Sequence, residues 1–137
     1  MTQPSPVFEL RVVITADNYE AAVRFYRDVL GLPLIRDFEG AGGGGSLLAA
    51  GQATVEIVAR ETAAEVDRIE VGKRGSGGLR LALEVADSAE IGEEMEAAGA
   101  KRLGGPVVTP WGHTNVRMRT PDGVEITLFT VAPPGGD

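Results

Sequence analysis

The chain has 137 residues, no cysteine and a net charge of −7 from 13 basic and 20 acidic residues. That length predicts one domain with its own core, and the lack of thiols excludes disulfides, thiolate metal sites and cysteine nucleophiles. The acidic balance argues against a nucleic-acid partner. No apolar run reaches the roughly 20 residues of a membrane span, and Met1-Thr2-Gln3-Pro4-Ser5-Pro6 lacks the basic and apolar regions of a secretory signal. A cytoplasmic protein with no membrane partner is expected.

In chain order, residues 8–15 alternate, with Leu10, Val12 and Ile14 on one face and Arg11, Val13 and Thr15 on the other, as a half-buried strand requires. Asp17 or Asn18 then caps a helix whose stripe is Ala22, Phe25, Tyr26, Val29 and Leu30, with Gly31 placed to end it. Phe25, Tyr26 and, in a later helix, Met95 are expected to pack between helix and sheet. Leu34 to Phe38 and Ser46 to Ala50 read as strands joined by the glycine-rich run 40–46, and Ala53 to Ala59 as a third. The run lacks the lysine and hydroxyl ending of a phosphate loop, so it is expected to be a hairpin tip or a pocket lid.

Residues 60–78 are charged, then glycine-rich, and read as a linker. Leu79 to Val85 forms the next strand, with Leu79, Leu81, Leu83 and Val85 on one face and Arg80, Ala82 and Glu84 on the other. Asp87-Ser88-Ala89-Glu90 is a capping box for a helix with Ile91, Met95 and Ala98 as its buried stripe and Gly99 at its end. A turn at Gly104-Gly105-Pro106 precedes strands near 107–109, 112–119 and 124–131, the last two separated by Thr120-Pro121-Asp122-Gly123.

These elements describe a duplication. Leu10-Arg11-Val12-Val13-Ile14 is matched by Leu79-Arg80-Leu81-Ala82-Leu83, Asn18 by Asp87, Gly31 by Gly99, and Val55-Glu56-Ile57 is echoed by Val124-Glu125-Ile126. Each half, 8–60 and 79–132, reads βαβββ, with 61–78 between them. A half of about 65 residues cannot bury its own apolar face, so the copies pack together and any pocket lies where they meet.

A duplicated βαβββ module with Phe25-Tyr26, Val29-Leu30-Gly31-Leu32, Trp111-Gly112-His113 and Pro121-Asp122-Gly123 in this order resembles the vicinal oxygen chelate superfamily. That superfamily includes glyoxalase I, ring-cleaving dioxygenases, epimerases, and fosfomycin and bleomycin resistance proteins. The resemblance covers roughly residues 8–132. It implies an α+β fold in which two tandem βαβββ modules form an open, cup-shaped mixed sheet with helices outside. It further implies a homodimer. Metal-dependent members hold a divalent ion with one residue on the first strand and one on the last strand of each module, which the resemblance places at Arg11, Glu56, Arg80 and Thr127.

Guanidinium has no lone pair to donate, so Arg11 and Arg80 cannot be ligands, and neither a metal nor another cofactor is expected. Two readings of the cup floor stay open. Glu56 bridges both arginines in a structural network, or the arginines hold an oxyanion of a ligand. His113, the single histidine, either faces solvent or serves as a base, and Trp111, the single tryptophan, either packs on its strand end or borders the ligand. Glu84 is expected to point inward beside Arg80. The implied function is metal-independent binding of a small organic molecule, with Val13, Val58, Trp111 and Phe129 as apolar walls and Arg11, Glu56, Arg80 and His113 as polar contacts. The alternative is an enzyme: a metal-dependent lyase, epimerase or dioxygenase, or a metal-free catalyst using His113 or Glu56. A cup closed by the Arg11, Glu56 and Arg80 network is the third reading. With three of four ligand positions replaced, no catalytic residue is assigned.

Overall fold

The structure, a computed structural model, describes residues 6–72 and 78–131. Eight strands form one mixed sheet: β1 Val7–Ala16, β2 Leu34–Phe38, β3 Gly45–Ala50, β4 Ala53–Ala59, β5 Leu79–Val85, β6 Lys101–Val108, β7 Thr114–Arg119 and β8 Glu125–Thr130. Their order is β2-β3-β4-β1-β5-β8-β7-β6. β1 pairs parallel with β4 and antiparallel with β5, and β5 pairs parallel with β8. Two βαβββ modules therefore meet along β1 and β5 at the centre of the sheet, as the duplication requires.

Strand alternation separates the two faces. Ile57, Leu48 and Ala16 are buried against Val23 of α1, Tyr19–Arg24. Val85, Val116, Met118, Ile126 and Leu128 are buried beneath α3, Ser88–Ala97. Asn18 Oδ1 accepts from the Ala21 amide at 3.1 Å, and Asp87 Oδ1 from the Glu90 amide at 3.1 Å, so both expected caps form. The first helix departs from expectation after Arg24. It continues as a π-helical turn over Phe25–Val29, which leaves Phe25 50 % and Val29 72 % exposed. The wider turn rotates the apolar stripe off the sheet, so Phe25 is not core, whereas Tyr26 and Met95 do pack on the buried clusters.

The segment between the modules is a structural element and not merely a linker. Residues Arg60–Val71 form α2, ended by Gly72 in the left-handed region at φ 81°. The rest of the expected linker, residues 73–77, lies outside the described residues. α2 packs against the sheet and the glycine-rich hairpin and buries Thr62, Ala64, Asp67 and Glu70. The hairpin tip is held to it, because Thr62 Oγ1 accepts from the Gly44 amide at 3.1 Å. At Gly44, with φ 78°, a Cβ would lie 2.0 Å from the Phe38 carbonyl oxygen, so only glycine fits this approach. The turn expected at 104–106 is instead part of β6, which pairs with β7 through register shifts on either side of Gly104. No described helix is long and apolar enough to cross a bilayer.

Candidate functional site

Sheet register places the expected residues on one face. Val13 pairs with Arg80 and Glu56, and Arg11 with Ala82, so all these side chains share the concave side. Within the second module, Ala82 pairs with Thr127 as Val13 pairs with Glu56 in the first. Thr127 is therefore the counterpart of Glu56, and the Val-Glu-Ile echo is offset by two residues. Leu47 opposite Glu56 corresponds to Arg117 opposite Thr127.

A cavity of about 400 Å³ opens on this face. Its floor includes Arg11, Glu56, Arg80, Thr127 and Phe129. Its rim includes Trp111 and His113, together with Arg36 and Phe38 of β2. Its roof is α2, through Thr62, Glu65, Val66, Ile69 and Glu70. Seven of the ten expected residues thus converge here. Val13 and Val58, 3 % and 2 % exposed, lie instead in a floor cluster with Ala82 and Phe129. Glu84 pairs opposite Phe129 in the sheet but does not line the cavity.

The two arginines of the repeat have different surroundings. Arg11 donates Nε and Nη2 to the two oxygens of Glu9 at 3.0 and 3.2 Å, and Nη1 to Glu56 Oε1 at 3.4 Å. Its guanidinium also lies 4.9 Å from the centre of the Phe129 ring. Arg80 donates Nη1 to Thr127 Oγ1 at 2.9 Å, and no carboxylate oxygen among the described residues lies within ion-pair distance of it. Burial holds its pKa below the usual arginine value, with Arg117 adding to the depression and Glu70, Glu56 and Asp67 opposing it. Glu56 does not bridge Arg11 and Arg80; the second partner of Arg11 is Glu9.

Arg117, which sequence reasoning did not single out, is completely buried. It pairs with Glu70 at 2.7 Å, Asp67 at 3.0 Å and Glu125 at 3.1 Å. Burial alone would lower its pKa, but Glu70 and Asp67 more than offset this and raise it. Arg117 Nε donates to Glu70 Oε1 at 2.9 Å and to Thr127 Oγ1 at 3.1 Å, while Thr127 donates to Glu70 Oε1 at 3.0 Å and Asn115 Nδ2 to Glu70 Oε2 at 2.7 Å. The carboxylate that β8 lacks at Thr127 is in effect supplied by α2. This network fills one end of the cup and leaves the rest open.

At the rim, the His113 ring stacks on Phe129 at 5.6 Å with 18° between planes, and Trp111 meets His113 edge-on at 6.5 Å. Burial lowers the His113 pKa, with the charges of Arg11 and Arg36 adding to the effect, which favours the neutral imidazole. Trp111 is 48 % exposed at the mouth.

The four positions that the resemblance assigns to a metal carry two guanidiniums, a hydroxyl saturated by Arg80, Arg117 and Glu70, and one carboxylate held by Arg11. Two fixed cations and a single anionic donor do not fit a divalent ion. Among the described residues no group of three or more His, Cys, Asp or Glu side chains is placed to hold one elsewhere.

The model of the Glyoxalase/Bleomycin resistance protein/Dioxygenase superfamily matches residues 10–128. No curated protein matches the chain. Among solved structures, methylmalonyl-CoA epimerase from Mycobacterium tuberculosis aligns with a TM-score of 0.69 at 23 % identity, over 98 % of this chain and 95 % of that one. A hypothetical protein from Bacillus halodurans aligns at 0.68 and 17 % identity, over 90 % and 93 % of the two chains. A superfamily member from Vibrio splendidus aligns at 0.58 and 11 % identity, over 89 % and 97 %. At these identities the likeness is one of fold.

Proposed function

Because the chain belongs to the glyoxalase, bleomycin resistance protein and dioxygenase superfamily, we propose that its cup is its working site, and that it binds a small organic anion there without a metal. The observation that carries this reading is Arg80. Its guanidinium lines the cavity, spends one hydrogen bond on Thr127 and has no carboxylate partner among the described residues. A desolvated cation on a concave surface, with aromatic rings around the mouth, is complementary to a carboxylate, phenolate or similar oxyanion on an apolar frame. Arg36 on the rim adds positive charge, whereas Arg11 is already neutralised by Glu9 and Glu56.

Titration of Trp111 fluorescence with aromatic and short aliphatic carboxylates tests the reading. Saturable binding is expected for acids and not for their neutral amides. Loss of a charge-assisted hydrogen bond in Arg80→Met should weaken binding by about 10- to 100-fold. Equal binding of amides, or an unchanged affinity in a folded Arg80→Met protein, would contradict it.

A second reading, an enzyme of the superfamily, is favoured by His113. A neutral imidazole beside guanidiniums is a proton acceptor next to groups that stabilise a developing oxyanion. The chemistry this suits is removal of a proton next to a carboxylate or thioester carbonyl, in line with the epimerase among the structural neighbours. Incorporation of solvent deuterium into a bound ligand, lost in His113→Gln, would support it. Binding without exchange would leave the chain a carrier.

A further inference from the structure

The floor of the cup carries a second charge that the fold pairs only in part, and it is negative. Glu56 lies on β4, an interior strand, with its side chain on the concave face, where it lines the cavity. Its one hydrogen bond among the described residues comes from Arg11 Nη1 to Oε1, at a long 3.4 Å. Arg11 gives its closer contacts, at 3.0 and 3.2 Å, to Glu9. One cation therefore serves two carboxylates, and this end of the floor keeps a surplus negative charge. The Glu56 side chain is 16 % exposed. Its Oε2 accepts from no described residue and yet is not among the fully buried unpaired atoms, so it is open to the space above the floor. The other acids of the cavity differ, because Glu70 is saturated by Arg117, Thr127 and Asn115, and Glu39 and Glu65 are solvent-exposed.

Glu56 and Arg80 stand on either side of one strand. Val13 of β1 pairs with both, so their side chains share a face and their Cα atoms lie two strand spacings apart, about 10 Å. Each head is drawn away from the other, Glu56 toward Arg11 and Arg80 toward Thr127 on β8, and the two form no ion pair. Arg80 Nε and Nη2 also have no partner among the described residues and are not fully buried. The floor around them is the apolar cluster of Val13, Ala82 and Phe129. A ligand that is only an anion answers one of these charges and leaves the other. We infer that the cup takes a zwitterion, an acid whose oxyanion meets Arg80 and whose ammonium, at the far end of a short apolar frame, meets Glu56. This rests on the anion-binding reading above. It excludes the α-amino acid pattern, because two charges on one carbon cannot reach both side chains.

Meta- and para-(aminomethyl)benzoate and their hydroxymethyl and ethyl counterparts share one anionic frame and differ only in the group opposite the acid. Calorimetric titration of each into the full chain separates the two claims. The better-placed ammonium acid should bind about tenfold or more tighter than its hydroxymethyl and ethyl counterparts. Glu56→Gln keeps the shape and an acceptor for Arg11 but removes the charge, and should bring that ratio to about one. Glu56→Ala serves if the glutamine variant does not fold. In the wild type, phenylglycine, with both charges on one carbon, should gain nothing over phenylacetate. Binding of all the acids without preference for the separated ammonium would overturn the inference and leave the anion reading standing. A preference that survives removal of the Glu56 charge would also overturn it, because another carboxylate would then hold the ammonium. Equal binding of (aminomethyl)benzamide, which lacks the acid, would overturn both readings, as would binding by none of the acids.

Discussion

Glu70 is the side chain on which α2 and the second module depend together, so Glu70→Ala is the most informative perturbation of the cup. In the native protein its carboxylate accepts from Arg117 Nε, Thr127 Oγ1 and Asn115 Nδ2 at 2.9, 3.0 and 2.7 Å. These donors belong to residues that are 0 %, 2 % and 4 % exposed. Removal of the carboxylate strands the Asn115 amide and leaves the Thr127 hydroxyl without its acceptor. It takes one of three anions from Arg117, which keeps Asp67 and Glu125. Breaking a buried ion pair from one side costs about 3 to 5 kcal/mol, and the two remaining carboxylates place this case near 3 kcal/mol. For a domain of this size that is a fall in Tm of about 10 °C. Glu70→Gln keeps an acceptor and lets the Asn115 amide turn its oxygen toward the new NH2 group, so it should cost roughly half as much. Calorimetry together with urea unfolding provides the assay. A loss of native packing around α2 also lowers the urea m-value, because less surface remains to be exposed. A fall of less than about 2 °C for Glu70→Ala would refute the network as the anchor of α2. So would equal costs for alanine and glutamine.

His113 has a folded pKa below its unfolded value, so its contribution to stability is fully present above the unfolded pKa near 6.5 and is lost as pH falls toward the folded one. Stability of the wild type should decline through this window and that of His113→Gln should not; an NMR titration of the ring placing its pKa above 6.5 would contradict the assignment. Gly44→Ala and Gly51→Ala separate close approach from backbone strain. Gly44 has φ 78° and backbone 2.0 Å from an added Cβ, whereas Gly51 has φ 67° and nothing within 4 Å. The first should cost more than about 2 kcal/mol and the second about 1 kcal/mol in urea unfolding.

The strands were legible because their signals are local. Alternation over 10–14 and 79–83, with glycine and proline between runs, located β1, β2, β4 and β5 to within a residue or two. The resemblance then singled out Arg11, Glu56, Arg80 and Thr127, and the sheet register puts them on one face. α2 was not legible as a cup element, since its buried side carries Asp67 and Glu70 in place of an apolar stripe, and a charged helix face is ordinarily solvated. It also has no counterpart in the duplication. Arg117 was hidden for a related reason, because its repeat partner is Leu47 and a charged side chain in a strand is ordinarily solvated. One signal was available: Arg117 alternates with Val116 and Met118 in the sequence Val116-Arg117-Met118, which places a charge on the concave face. The exposure of Phe25 follows from a π-turn that a 3.6-residue template does not anticipate.

The duplication placed two equivalent arginines in the floor, but the chain compensates them unequally. Arg11 receives Glu9 and Glu56. The acids brought into the cup by α2 go to Arg117 and not to Arg80. Arg80 has a hydroxyl and no carboxylate at ion-pair distance among the described residues; burial disfavours its charge, Glu70, Glu56 and Asp67 favour it from farther off, and Arg117 repels it. A fold built for stability alone would fill such a site with an apolar side chain or pair it with a carboxylate. A cation beside a cavity with no carboxylate at ion-pair distance among the described residues would be stabilised by an arriving anion, and by linkage that anion would stabilise the fold in proportion to its affinity. On the proposed reading, the positive charge at this end of the cup is carried by Arg80, and an anion that stabilises the fold through it is the expected consequence.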